Sequence, residues 1–287
     1  MILGMSAAAE DFPALCERFV ELGGNAFDTA RWYDEEPVLG AWLTGRLDRS
    51  HLVLVGKGCH PEAQDGPPRV SPEAIEADLF ESLDRLQTSW IDLYLLHRDD
   101  PAVQVGEIVD ALARHAAAGT IHAYGGSNWT TDRLAAANAW AAQHGVAPFS
   151  ASSPNLSLAV PLVPPWPGCV TAGDPPSLAW YERTQLPLIA WSSLARGYFV
   201  DGPIAQDREV LAVFDSAVNR ARRERARALA TELGAAADQV ALAWVLHQRF
   251  PSFAVVGART IKELESSAAA VELALTDDQA GRLAGGG

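Results

Sequence analysis

The chain has 287 residues, 48% of them hydrophobic and nine of them Trp, enough for one large α/β domain with a sizeable core. A formal charge of −14, without a basic stripe to neutralise phosphates, excludes a nucleic-acid partner. Three scattered cysteines, Cys16, Cys59 and Cys169, form neither a CxxC pair nor a Cys/His ligand spacing, so no disulfide frame and no metal site are expected.

The first residues, "MILGMSAAAEDF", lack the basic start and apolar core of a signal peptide. No apolar run approaches the roughly 20 residues a membrane helix needs. A cytoplasmic protein without a membrane partner is the expectation, and the oligomeric state is not legible.

In chain order, "ILGM" reads as a short strand, and "EDFPALCERFVELGG" as a helix stopped by Gly23–Gly24. "NAFDT" is a second strand, Glu35 to Gly45 is helical in pattern, and "HLVLVGKG" is a buried strand. A helix then starts with Ser71 as N-cap, Pro72 at its first position and acidic residues in its first turn. "WIDLYLLH" is a strand, Pro101 to Gly119 a helix, "TIHAYGGSN" a strand, and Thr131 to His144 a helix. "PFSAS", "LPLIAWSS" and "FAVVGA" complete eight strand-like segments, the last leading into the helical "TIKELESSAAAVEL".

The longest irregular stretch is the Pro-rich 157–176, and the basic run "RARRERAR" has the spacing of a solvated helix face. Strict β/α alternation predicts a parallel sheet, and eight units in this length predict a closed (β/α)8 TIM barrel occupying residues 1–287 as a single domain. A dinucleotide fold of the open-sheet type needs GxGxxG after the first strand, where this chain has "GMSAAAED".

In such barrels functional residues collect at the C-terminal strand ends. Three consecutive strands end on Asp28, Lys57 and His97, and neighbouring strands lie roughly 4.8 Å apart, so the three form a row at the rim. The loop after Asp28 can fold Tyr33 over them. Each residue alone has an ordinary structural explanation, but a buried Lys is costly without a carboxylate partner.

Together the four make sense as acid catalysis by a phenol. An unperturbed Tyr has a pKa of about 10, and an ammonium about 4 Å away contributes roughly 4 kcal/mol at an effective dielectric of 20, or about three pKa units downward. Asp28 would keep Lys57 protonated, and His97 would orient a substrate oxygen.

"FDTARWY", the Lys57 strand end, "DLYLLH", "GGSNW", "AWSSLARG" and "VVGARTIKELESS", in this order, resemble the aldo-keto reductase family over nearly the whole chain. The resemblance implies an Asp28–Tyr33–Lys57–His97 tetrad that reduces an aldehyde or ketone with a nicotinamide cofactor, Tyr33 protonating the oxygen. It implies further that Ser127 and Asn128 hold the nicotinamide carboxamide, that Trp191 stacks on the ring, and that Ser192, Leu194 and Arg196 follow the pyrophosphate. Gly257, Ala258 and Arg259 resemble an adenosine-phosphate site, where a guanidinium favours NADPH, with NADH as the alternative.

The chain also departs from the family pattern. Ser153 stands where Gln usually binds the carboxamide, and Ser266 and Ser267 where Glu and Asn usually hold adenine. "MILGM" already reads as the first strand, so the floor hairpin is missing. The chain ends on "LAGGG" with only a short C-terminal tail.

Trp32, Trp129 and Trp166 are the expected pocket-lining aromatics. With few cationic residues beside them, a neutral sugar-like or aromatic carbonyl is the expected small-molecule partner. Two other readings share the fold: a cofactor-binding regulatory or scaffold subunit, and a sugar epimerase or lyase that recycles its nicotinamide. The first has no need of Lys57 and Tyr33 together; residue types do not separate the second from a reductase.

Overall fold

The structure is a computed structural model that describes residues 1–5, 9–45, 48–63 and 66–285. Eight strands are hydrogen-bonded in chain order as a closed parallel barrel: β1 (Ile2–Gly4), β2 (Ala26–Asp28), β3 (Val53–Gly58), β4 (Ile91–Leu96), β5 (Ile121–Ser127), β6 (Ala151–Ser153), β7 (Leu188–Ala190) and β8 (Ser252–Val256). The architecture is thus the expected (β/α)8 barrel. Its strands read as near-continuous apolar runs because both faces of a parallel sheet are covered.

The chain folds into two compact units. The first comprises residues 2–153 with 257–260. It contains β1 to β6 and the helices α1 (Phe12–Glu21), α2 (Glu36–Thr44), α3 (Pro72–Leu86), α4 (Val105–Ala117) and α5 (Thr131–His144). Side-chain caps set the helix starts: Asp11 accepts from the Ala14 amide, Ser71 from Ala74 and Thr130 from Arg133. Gly40 lets α2 lie directly on the end of α3, since a Cβ there would fall 2.3 Å from the Arg85 carbonyl oxygen. The fourth helix begins at Val105 rather than at Pro101, because Asp100 closes a turn first, accepting from the Ala102 amide through its side chain and from Val103 through its carbonyl.

The second unit comprises residues 154–256 and 261–287 together with Met1. It carries β7, β8 and the helices α6 (Pro175–Thr184), α7 (Arg208–Phe214), α8 (Ala217–Leu233), α9 (Ala237–Leu246), α10 (Ile261–Ala269) and α11 (Asp277–Ala284). The Pro-rich stretch stays irregular until Asp174 caps α6. The basic run lies on α8, but only part of it is solvated. Arg222 and Arg225 turn inward to donate to the Leu158, Leu283 and Ala284 carbonyls, and Arg223 lies over Tyr198. Helix ends leave such carbonyls unsatisfied, so the cations cap α11 as well as facing water. The α11 helix carries a Thr276/Gln279 capping box and takes in Leu283 and Ala284 of the "LAGGG" tail; the last two glycines lie outside the described residues. Among the described residues no single helix is long and apolar enough to cross a membrane.

Candidate active site

Strand register aligns the first polar row. Asp28 pairs with Val55 at the end of β2, and Lys57 pairs with Leu95 near the end of β3. The His97 amide donates to the Gly58 carbonyl (2.7 Å), carrying the β3–β4 ladder one residue past β4. Likewise, Thr29 donates to Val55 and Arg31 to Lys57 (both 2.8 Å), so the chain stays on β3 after β2 ends. A tight turn, Tyr33 amide to Ala30 carbonyl at 2.8 Å, then brings Tyr33 back over the strand ends.

The four expected residues meet. Lys57 Nζ donates to Asp28 Oδ1 at 2.6 Å and to the Thr29 carbonyl at 2.9 Å, and both charged side chains are buried. The Lys57 ammonium lies 5.5 Å from the centre of the Tyr33 ring, and the Tyr33 and His97 rings are 5.7 Å apart and perpendicular. Burial opposes a charged Lys57, but Asp28 and Tyr33 outweigh it, and the ammonium is held above its ordinary pKa.

The expected lowering of the phenol does not occur. Burial pushes Tyr33 upward more strongly than Lys57 pulls it down, and Asp28 offsets part of that pull. A charge already paired at 2.6 Å acts on the phenol as half of a dipole, which is why the single-charge argument overstates it. The phenol is therefore a protonated donor. His97 is driven well below its ordinary pKa by burial, then by Lys57, Arg98 and His60, which makes it a neutral imidazole at pH 7. Its Nδ1 is buried and has no hydrogen-bond partner among the described residues.

Next to this cluster stand two further features. His60 packs edge-on to His97 (4.8 Å), is stacked by Trp32 (4.4 Å) and directs Nδ1 to the Pro61 carbonyl at 2.8 Å, so Nδ1 carries its proton. Behind it, buried Asp78 on α3 accepts from the Cys59 amide (2.7 Å) and takes both nitrogens of the Arg69 fork (2.6 and 2.7 Å). That clamp fixes Cys59 in the left-handed region, φ 61°, a conformation unusual for a residue with a Cβ. Sequence reasoning missed both features. The signal for His60 was present: "GCH" follows directly on the Lys57 strand end.

A sequence model of the Aldo/keto reductase family matches residues 4–285. The chain belongs to that family. It is an oxidoreductase of carbonyl chemistry, in a family that works with nicotinamide cofactors. It is 27% identical to norsolorinic acid reductase stcV of Emericella nidulans over 93% of this chain and 69% of that protein. It is 25% identical to a putative aryl-alcohol dehydrogenase of Saccharomyces cerevisiae over 92% of the one and 73% of the other, going by the coverage of each chain. To an uncharacterised oxidoreductase, YrpG, of Bacillus subtilis it is 27% identical, over 91% and 82% respectively.

In this aldo/keto reductase Ser127, Asn128 and Ser153 form one buried group. Ser127 Oγ donates to the Ser153 carbonyl (2.9 Å), as does the Asn128 amide (3.1 Å), and Asn128 Nδ2 donates to the His97 carbonyl (3.1 Å). Gly257, Ala258 and Arg259 follow β8; the Arg259 side chain is exposed, and its carbonyl accepts from the Glu10 amide at 3.1 Å.

In the second unit, the loop after β7 holds Ser192, Ala195 and Arg196 at φ 49°, 49° and 54°. Leu194 in between is near-helical, and the Ala195 amide donates to the Ser192 carbonyl at 2.8 Å, closing a turn. Arg196 pairs with Glu209 (3.0 Å) and covers Trp166, whose other neighbour is the Trp191 ring at 5.7 Å.

Trp129 departs from expectation. It is 2% exposed, packed on Phe149 at 5.1 Å, covered by Arg133, and donates Nε1 to the Arg98 carbonyl, so it cannot line an open pocket. Trp32, at 36% exposure on His60, can.

Proposed function

We propose that the chain reduces an aldehyde or ketone to an alcohol with NADPH, and that Tyr33 is the general acid. The observation that carries this reading is the buried Asp28–Lys57 pair set beside a protonated phenol and a neutral imidazole. The bound nicotinamide would supply hydride to the carbonyl carbon. Tyr33 gives its proton to the carbonyl oxygen; Lys57 stabilises the phenolate this leaves, and Asp28 keeps Lys57 charged and aimed. The neutral His97 donates a hydrogen bond that orients the oxygen beside Tyr33.

Ser127, Asn128 and Ser153 are assigned to the nicotinamide carboxamide, and Gly257, Ala258 and Arg259 to the adenosine phosphate. The exposed Arg259 guanidinium, two residues before the start of α10, supports NADPH over NADH. Ser192, Leu194 and Arg196 are assigned to the pyrophosphate and Trp191 to the face of the nicotinamide ring; the left-handed turn at Ser192, Ala195 and Arg196 sets that loop's path. Trp32 on His60, and the aryl substrate in the name of the yeast relative, support an aromatic carbonyl over a sugar-like one.

The test is NADPH oxidation with a panel of aryl aldehydes and keto-sugars. Tyr33→Phe should lower kcat by roughly 10²–10⁴ with NADPH affinity nearly unchanged. In a parallel titration Arg259→Ala should weaken NADPH at least tenfold more than NADH. Full turnover by Tyr33→Phe would overturn the acid assignment, and equal weakening of both cofactors would remove the 2′-phosphate role.

A further inference from the structure

Arg98 follows His97 directly, and the mechanism above makes no use of it. Its side chain is half-buried, and among the described residues its guanidinium makes a single hydrogen bond, from Nη1 to the His97 carbonyl at 2.9 Å. Of five guanidinium donors, the rest are uncommitted. The backbone beneath is pinned, because the Arg98 carbonyl accepts from Trp129 Nε1 at 3.2 Å.

The nearby carboxylates are committed elsewhere. Asp99, next in the chain, takes both nitrogens of the Arg133 fork at 2.8 and 2.9 Å, and Asp100 caps the Ala102 amide. Glu62 pairs with Arg31 at 3.2 Å and Arg69 at 2.9 Å. Arg18, Arg31, Arg49, Arg69, Arg85 and Arg133, the other half-buried arginines described in this unit, each have a carboxylate partner; among the described residues Arg98 has none. A partly desolvated cation without a counter-ion is costly, which is a reason for an anion to be supplied from outside.

The charge also acts on the reacting groups. Arg98 helps to depress His97 and His60 and opposes the upward shift of Tyr33. Its location beside the Tyr33–His97 pair means that an anion bound to it would arrive with the carbonyl compound.

We infer that Arg98 is a substrate-binding residue and that the preferred substrate is a carbonyl compound bearing an anionic oxygen, a carboxylate or a phenolate, close to the carbonyl group. The inference rests on the carbonyl-reduction reading above, and it replaces the expectation of a neutral substrate, which assumed that the aromatics had few cationic neighbours. A guanidinium edge matches a carboxylate with two parallel hydrogen bonds and a phenolate with one or two.

The experiment compares kcat/KM for 2-carboxybenzaldehyde with its methyl ester, and for salicylaldehyde above and below its phenol pKa with its methyl ether, in the wild type, Arg98→Gln and Arg98→Lys. The expected result is a wild-type preference of at least tenfold for one anionic member over its neutral counterpart, expressed mainly in KM. In Arg98→Gln that ratio should fall at least tenfold, and Arg98→Lys should restore part of it. The carboxylate and phenolate arms separate the two sources of charge. A ratio near one in the wild type, or the same ratio in Arg98→Gln, overturns the inference; a purely structural role would lower both members of a pair alike. Benzoate against benzamide binding, followed by Trp fluorescence, tests Arg98 independently of turnover. If the wild type consumes no NADPH with any carbonyl, the reductase reading fails. The inference about Arg98 still stands or falls on whether Arg98→Gln loses at least tenfold in benzoate affinity.

Discussion

Asp28 and Glu36 are buried acids eight residues apart, and they are treated in opposite ways. Asp28 has an ammonium at 2.6 Å. Glu36, on the first turn of α2, has among the described residues only the Ser82 hydroxyl donating to Oε2 at 3.2 Å, and its Oε1 is buried without a partner there. The consequence is electrostatic: burial, only partly offset by Ser82 and Arg85, pushes Glu36 up to about 7. A hydroxyl can satisfy one lone pair but cannot replace the solvation of a whole charge, whereas a counter-ion can. One acid is thus kept ionised for chemistry, while the other titrates near neutrality inside the loop–helix junction that carries Tyr33.

The comparison is broken most severely by giving Asp28 the condition of Glu36. Lys57→Met leaves a buried carboxylate unpaired, for which the expected cost is roughly 3–5 kcal/mol of stability. Turnover should fall with it, since the phenolate left by Tyr33 loses its cation. The double variant Asp28→Asn/Lys57→Met should be more stable than Lys57→Met alone in urea denaturation. If the double variant is the less stable, the cost does not come from the orphaned charge.

The second effect is on pH dependence. Glu36 has an ordinary value of 4.5 in the unfolded chain and about 7 in the folded one. Between those values the folded state holds a proton that the unfolded state has released. Its contribution to stability is therefore fully present below about pH 4.5 and lost as pH rises through 7, up to ~3 kcal/mol over the window. Glu36→Gln keeps the Ser82 hydrogen bond and removes the titration. The wild type should lose more stability than Glu36→Gln between pH 5 and pH 8, and parallel losses would mean that Glu36 does not titrate there.

These two acids also mark how far the sequence could be read. Asp28, Lys57 and His97 were legible because each ends an apolar strand, and the barrel rule converts that position into proximity. Glu36 was not: it sits in a helical pattern among polar neighbours, and nothing local reports that the α2–α3 approach at Gly40 buries it. Trp129 shows the same limit in reverse, since its place after "GSN" is legible but the direction of its ring depends on Phe149, twenty residues further on, as well as on Arg133 one helical turn away. Nor is there a residue-type cue for the left-handed backbone at Ser192, Ala195 and Arg196, which lacks the glycines such geometry favours. The Tyr33 error had another origin: pairwise Coulomb reasoning on residue types includes neither the depth of burial nor the pairing of Lys57.

The smallest change tests whether Ser82 does for Glu36 a fraction of what Lys57 does for Asp28. Both Ser82 and Glu36 are fully buried, so Ser82→Ala leaves Glu36 Oε2 without its hydroxyl donor. A hydrogen bond to a neutral acceptor contributes about 1 kcal/mol net, and one to a charged acceptor roughly 1.5–3. At pH 5, where Glu36 is protonated, the loss should lie at the lower figure. At pH 8 the carboxylate would be deprived of its one strong donor, so the loss should be larger, limited by the acid's retreat to its neutral form at a still higher pKa. The excess at pH 8 over pH 5 measures how much a hydroxyl stabilises a buried charge in this site. Equal losses at the two pH values would mean that the Ser82 bond does not distinguish the ionised from the neutral acid, and that burial alone sets the contrast with Asp28.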